Sequence, residues 1–301
     1  LAIVADAVDA NVIYVGGVNV WKSTNGGASW QINGHWYGGC GVAEVHADQH
    51  IFTFNPLNNR IYIGNDGGIY WTDNGGSQWN EITTGLPITQ SYKIGQSATE
   101  EDLVVIGNQD NGTYLLDFDT WTSIGGGDGM ECAIDFTNPN YRYTTVYYGA
   151  MNRVIGTNGS QIAGNGVNGI TEEGAWVTPF VMGEDNPNVM FIGYKNVWRS
   201  VNIKNPSASG VKWKKISTIN TSNLSVMEQS PVNTDILYAS SGSSLYISSN
   251  AMKDEPTWTN ISAQLPSGAT ISDMEASPYE ENTVYIVQDK QIFKSTDRGL
   301  S

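Results

Sequence analysis

The feature that most constrains this chain is a repeat. An Asn-rich turn, a short Tyr/Ile/Val strand, a small residue and a second strand recur along its 301 residues. The clearest copies are Asn11-Val12-Ile13-Tyr14-Val15-Gly16 and Asn59-Arg60-Ile61-Tyr62-Ile63-Gly64. Five further copies place the small-residue position at Gly107, Gly149, Gly193, Ala239 and Val287, about 45 residues apart on average. A supersecondary unit of that length cannot bury its apolar face alone and must stack on its neighbours. Seven four-stranded units at this period predict an all-β chain, a seven-bladed β-propeller of antiparallel blades forming a single domain over residues 1–301. The chain begins and stops inside repeat elements, so it is expected to be part of a longer polypeptide carrying further domains.

Strand signals fill out each unit. Inner-strand candidates are the stretches 49–56, 131–135, 225–231 and 272–278, the first closed by an Asn-Pro turn. No segment carries convincing helix caps. With 15 basic against 30 acidic residues the formal charge is −15, which argues against nucleic acid or an anionic membrane as partner. No apolar run is long enough for a membrane helix, so membrane insertion is not expected.

The turn after the third strand is more specific. Ser23-Thr24-Asn25-Gly26-Gly27-Ala28-Ser29-Trp30 and Thr72-Asp73-Asn74-Gly75-Gly76-Ser77-Gln78-Trp79 share a Ser/Thr-x-Asn-x-Gly-x-x-Trp pattern. Ser295-x-Asp297-x-Gly299 repeats its beginning, and degenerate echoes end at Trp213 and Trp258. Asn25 and Asn74 can bond their own turn amides, Gly27 and Gly76 can take positive φ, and the Trp is expected to pack over the hairpin. These turns resemble the Asp-box, or BNR repeat, of sialidases, sortilin-type receptor domains and xyloglucan-cleaving hydrolases. The resemblance implies a folding signature on the third-to-fourth-strand hairpin, away from the binding face and without chemistry of its own. The wider phrasing, including Gly64-Asn65-Asp66-Gly67-Gly68 and Gly126-Gly127-Asp128-Gly129, resembles secreted Bacteroidetes propellers with sortilin-like or glycosyl-hydrolase-like labels. That implies a secreted or cell-surface protein, exported by a sorting route such as type IX secretion.

In a propeller, the loops entering each inner strand share one face with those joining strands two and three. Asp48, Asp128, Glu131, Glu228, Asp273 and Glu275 are expected near that mouth, joined by Asp66 and Asp110 from the second loop class. Three readings stay open: ordinary hydrated carboxylates, a cation site, or an acidic pair for glycoside hydrolysis drawn from Asp48, Asp66, Asp110 and Asp128. His46-x-Asp48-x-His50 would present three ligands on one face if it were regular strand, as a transition-metal or channel-lining cluster. Asp66 and Asp110 lie in Gly/Asn-rich loops whose hard oxygen donors suit Ca²⁺, although neither loop has the spacing of a calcium loop.

Five arginines, Arg60, Arg142, Arg153, Arg199 and Arg298, are too few and too scattered for a sialidase triad. Exposed-looking aromatics at Trp36, Tyr37, Trp121 and Trp176 could stack on sugar rings or cover blade junctions. Cys40 and Cys132 could pair only if the fold brings them within about 7 Å. The Asn-x-Ser/Thr sites at Asn111, Asn158, Asn220, Asn223 and Asn260 are expected by chance in Asn-rich loops. With a complete scaffold and no complete catalytic set, the expected function is an extracellular binding, adhesion or scaffold module for protein or polysaccharide at the central face. A glycoside hydrolase is the alternative.

Overall fold

A computed structural model describes residues 2–219, 222–265 and 268–301; Leu1 and the sequon residue Asn220 lie outside this set. The chain forms two compact units, Leu1–Gln90 and Ser91–Ser301. Among the described residues there are seven antiparallel sheets, six of four strands and one of three, each a meander in chain order. Helical structure among them is confined to three single 3-10 turns. The fold is that of the seven-bladed β-propeller class.

Unit one holds blade 1 (Ala2–Ala5, Ile13–Gly16, Val20–Ser23, Gln31–Gly34) and blade 2 (Gln49–Asn55, Arg60–Asn65, Gly68–Thr72, Asn80–Glu81). Unit two begins with blade 3 (Ser91–Gln96, Leu103–Asn108, Gly112–Asp117, Thr120–Gly125) and blade 4 (Cys132–Ile134, Tyr141–Val146, Ala150–Ile155, Asn158–Ala163). Blade 5 follows (Phe180–Met182, Met190–Gly193, Val197–Ser200, Lys214–Lys215), then blade 6 (Val226–Gln229, Leu237–Ser241, Ser244–Ser248, Thr259–Asn260). Blade 7 is Ile271–Ala276, Val284–Gln288 and Gln291–Ser295. In such a meander the segment entering strand one and the turn between strands two and three share one end of the sheet, here termed the leading end. The other two turns lie at the trailing end.

One repeat copy is placed differently from the sequence expectation. Blade 4's second strand is Tyr141–Val146, and Gly149 falls after it, in the 3-10 turn Tyr147–Gly149. Tyr147 and Tyr148 continue the apolar-rich run, but Tyr148 adopts φ 61°, which no strand tolerates. The aromatic alternation thus imitated a strand that the backbone had already ended.

In six of the blades the turn between strands one and two is closed by one device. The amides of Asp6, Ser97, Asp135, Gly183, Ser230 and Ser277 each donate to the carbonyl six residues on, Val12, Leu103, Tyr141, Val189, Ile236 and Thr283. Where that first residue is Asp or Ser, its side chain accepts from amides two or three residues later, as at Asp135 with Thr137 and Asn138. The short polar side chain thereby satisfies turn amides that would otherwise be bare.

Apolar surface is buried between sheets. Tyr143, Met151, Ile192 and Trp198 lie in one cluster shared by blades 4 and 5, and Phe191, Leu224 and Leu237 lie in the next, between blades 5 and 6. Blades 1 and 2 share Tyr14, Val20, Phe52 and Ile63. A sheet face buried against its neighbour is what the alternation along each strand prepares.

The third-to-fourth-strand turns carry a common hydrogen-bond net. Ser23 Oγ donates to Asn25 Oδ1 and accepts from Gly27 N–H, and Asn25 Oδ1 accepts from Ser29 N–H. Thr72, Asn74, Gly76 and Gln78 reproduce it, as do Ser295, Asp297, Gly299 and Ser301. Gly27 and Gly76 take φ 90° and 81° at the tight bend, as expected. Ser200-Asn202 and Ser248-Asn250 keep the side-chain bond and close it over longer loops, on the amides of Lys212 and Thr257.

The tryptophans correct the sequence reading. Trp30 alone bonds its own turn, through Gly27 O. Trp79, Trp213 and Trp258 donate instead to the preceding blade, to the carbonyls of Asn33, Ile162 and Ile216. A third-strand cation reciprocates. Lys22 caps Gly75 O, Arg153 caps Ile203 O and Asn205 O, and Arg199 caps Ala251 O and Lys253 O. Blades 1 and 2, 4 and 5, and 5 and 6 are clasped to one another by this exchange.

Trp213→Phe should lower stability by about 1 kcal/mol by removing a buried hydrogen bond to Ile162 O, which keeps Asn168 Nδ2 as its other donor, whereas Trp30→Phe should stay within about 0.5 kcal/mol. Urea denaturation of the two variants distinguishes them; equal effects would remove the clasp from the account.

Candidate functional site

At the leading end of blade 2, His46 and Asp48 precede the inner strand, which starts at Gln49. Asp48 has φ 62°, and the register with Arg60–Asn65 shifts between Gln49 and Ile51. The strand alternation assumed for His46, Asp48 and His50 is therefore broken, and the three do not form a one-faced ligand set. His50 pairs instead with Asp66 of the second-to-third-strand turn. His46 Nδ1 approaches Ala47 O at 3.3 Å. Carboxylate oxygens of Asp48 and Asp66 lie within 4.8 Å of one another.

Asp110 belongs to the other unit, in the turn between blade 3's second and third strands. Its φ is 57°, and its amide donates to Asp128 Oδ1 at 2.9 Å. Asp66, the other calcium candidate, belongs to unit one. Asp128 lies on the Gly-rich segment entering blade 4, and Glu131 follows at the start of its inner strand. Glu131 Oε2 is 3.7 Å from Lys93 Nζ. Burial raises the pKa of Glu131 most, Lys93 opposes the shift, and Asp273 adds to it.

The remaining inner-strand acids sit lower. Glu228 and Glu275 lie two residues before the Ser230 and Ser277 turns, toward the trailing end, with Glu131 and Asp273 two residues higher in the register of their own strands. The acids therefore occupy two levels, because side-chain position is set by the strand register. Glu228 Oε1 accepts from Ala276 N–H of blade 7 at 3.2 Å. Its carboxyl is pushed up to about 8, first by burial, partly offset by that amide, and then by Glu275, Glu184 and Asp273. The Glu184 carboxyl is raised as well, by burial and then by Glu275 and Asp185, although the residue as a whole is exposed.

The leading ends of blades 3 to 5 hold a group that sequence reasoning assembled only in part. Tyr147 and Trp176 stack with centroids 5.5 Å apart at 18°, and Tyr148 meets Trp176 edge-on at 5.4 Å. Trp176 Nε1 donates to Tyr92 Oη at 3.2 Å. Trp176 was a sequence candidate; Tyr147 and Tyr148 were absorbed into the misplaced strand copy. The aromatic pair at Trp36 and Tyr37 lies in unit one, edge-on at 4.6 Å. Trp121 stands apart on blade 3's outer strand.

The five arginines are committed elsewhere. Arg60 stacks over Trp71 and pairs with Asp73, Arg142 caps Gly156 O, and Arg298 pairs with Glu281. Arg153 and Arg199 serve the clasps described above. Cys40 and Cys132 are free thiols, and burial pushes the Cys132 thiol up to about 12. No helix among the described residues is long and apolar enough to cross a membrane.

The sequence matches no family model and no curated protein. Among solved structures, it is similar to YCF48 from Cyanidioschyzon merolae (TM-score 0.51, 10% identity, covering 99% of this chain and 95% of that one). It is also similar to the extracellular domain of the putative one component system BT4673 from B. thetaiotaomicron (TM-score 0.50, 13% identity, 98% of this chain and 40% of that one). The GH74 enzyme of Niastella koreensis matches at 17% identity over 99% of this chain and 55% of its own, but with a TM-score of only 0.34. The chain thus spans only about half of the Niastella enzyme and two fifths of the BT4673 domain. At these identities the likeness speaks to the propeller fold alone.

The acidic cluster sets a pH dependence. Glu228 is raised from 4.5 to about 8, so the folded chain keeps a proton that the unfolded chain releases. Stability from this group therefore falls as pH rises between those values and levels off above about 8. Glu228→Gln should flatten that slope and stabilise the protein by about 1–3 kcal/mol at pH 8.5. Thermal melts from pH 5 to 9 measure it, and an unchanged slope would sink the assignment.

Proposed function

We propose that this chain is an extracellular binding propeller that recognises a polysaccharide or protein through the leading ends of its blades. The observation that carries this reading is a division of labour. The arginines and three box-turn tryptophans serve the scaffold, while the aromatic rings of Tyr147, Tyr148 and Trp176 stay exposed at the leading ends of blades 4 and 5. Ring surface beside hydrogen-bonding groups is the composition of recognition sites. The Ser/Thr-x-Asn turn nets support reading the repeats as Asp-boxes, and with them the secreted, sortilin-like or glycosyl-hydrolase-like grouping. The extracellular origin of the BT4673 domain agrees with a secreted or cell-surface location.

A glycoside hydrolase is the second reading, favoured by one distance. The Asp48 and Asp66 oxygens, within 4.8 Å, lie close to the separation a retaining pair spans, about 5–5.5 Å between carboxyl groups. Against it, Asp66 is engaged by His50, and Asp128 accepts the Asp110 amide.

A polysaccharide panel assayed for both gel retardation and new reducing ends separates the readings. Binding without release of reducing ends is expected. Turnover that disappears in Asp66→Asn or Asp128→Asn would replace the binding module with an enzyme.

A further inference from the structure

The three rings at the leading ends of blades 4 and 5 are held in place at a cost. Tyr148 occupies the left-handed region at φ 61°, a conformation a bulky residue adopts only under constraint. The constraint is visible. Tyr148 N–H donates to Trp176 O and Tyr148 O accepts from Gly174 N–H, both at 3.2 Å, tying the two loops together by backbone. Beneath them the buried Tyr194 hydroxyl donates to Gly149 O at 2.7 Å. Gly149, at φ 78°, has no space for a side chain: a Cβ there would stand 2.7 Å from the Tyr194 ring. Tyr92 fixes the indole N–H from blade 3. Yet Tyr147, Tyr148 and Trp176 remain 42%, 44% and 44% exposed. The constraint thus holds apolar ring area in water rather than burying it.

We infer that Tyr147, Tyr148 and Trp176 form a preorganised stacking platform for the pyranose rings of a neutral polysaccharide. This rests on the binding reading above and names its ligand class. The exposed ring area of Tyr147, Tyr148 and Trp176 carries hydroxyls from Tyr147 and Tyr148, with the Tyr92 hydroxyl at the indole edge. Such a surface matches a sugar ring, which offers a C–H face and a rim of hydroxyls. Neutrality follows from charge. The chain carries −15, and Asp128 and Glu131 lie on the adjoining segment, where Gly127 stands 3.7 Å (measured to its missing Cβ) from the Tyr147 ring. Uronates, sulfates and phosphates would be repelled. Locked rings lose little freedom on binding, so contact area converts more fully into affinity.

The test is affinity electrophoresis and calorimetry with hydroxyethyl cellulose, galactomannan and arabinoxylan, and polygalacturonate as the charged comparison. The wild type should bind at least one neutral polymer and ignore polygalacturonate. Trp176→Ala and Tyr147→Ala should each weaken that binding at least tenfold with unchanged melting temperatures. Trp121→Ala, which removes an exposed ring elsewhere, should have no effect. Binding that survives in both platform variants but is lost in Asp128→Asn would overturn the platform and leave the binding module intact. Release of reducing ends by the wild type, with weakened binding in the platform variants, would overturn the binding-module reading and keep the platform as a substrate subsite. Failure of the folded wild type to bind any neutral polymer would overturn the platform in favour of a protein partner.

Discussion

The structure depends on how blades 1 and 2, 4 and 5, and 5 and 6 are fastened to one another. A four-stranded sheet of this size has too little apolar area to stand alone, and its third-to-fourth-strand turn projects carbonyls that have no ladder partner. Lys22, Arg153 and Arg199 answer those carbonyls from the preceding blade, while Trp79, Trp213 and Trp258 donate back across the same junction. The exchange solves two problems together. It satisfies buried polar groups that would otherwise cost about 1–3 kcal/mol each, and it fixes the angle at which one sheet meets the next. The apolar clusters between blades then fill a gap whose width is already set.

Fastening at the trailing end leaves the leading end available. Loops there need not hold the blades together, so they can carry left-handed residues such as Asp48, Asp110 and Tyr148 and expose aromatic rings. The Tyr194–Gly149 bond shows how a buried scaffold residue can support a strained surface loop. The same division explains the arginines. The guanidiniums of Arg153 and Arg199, each capping two carbonyls through Nη1, are buried in their blade junctions and so out of reach of a ligand carboxylate.

The repeat made the strand order and the turn chemistry readable because both are local. Asn25 and Asn74 bond amides within four residues, and Ser230 and Ser277 organise turns of similar reach. Local rules failed where backbone conformation departed from the apolar pattern. Tyr147 and Tyr148 look like strand residues in composition, yet the strand ends at Val146. His46, Asp48 and His50 keep a two-residue spacing, yet a positive φ and a shifted register scatter their side chains.

The sequence by itself determined the number of blades, their antiparallel order and the hydrogen-bond nets of the box turns, since each needs only residues close along the chain. Tertiary structure alone decided which way the tryptophans point and that arginines 50–54 residues from their acceptors act as clasps. It also decided that Tyr92, Tyr147, Tyr148 and Trp176 meet at one place. The reason is physical. A carbonyl or ring one blade away is defined by the angle between sheets, and that angle is a property of packed surfaces that no short window of residues contains.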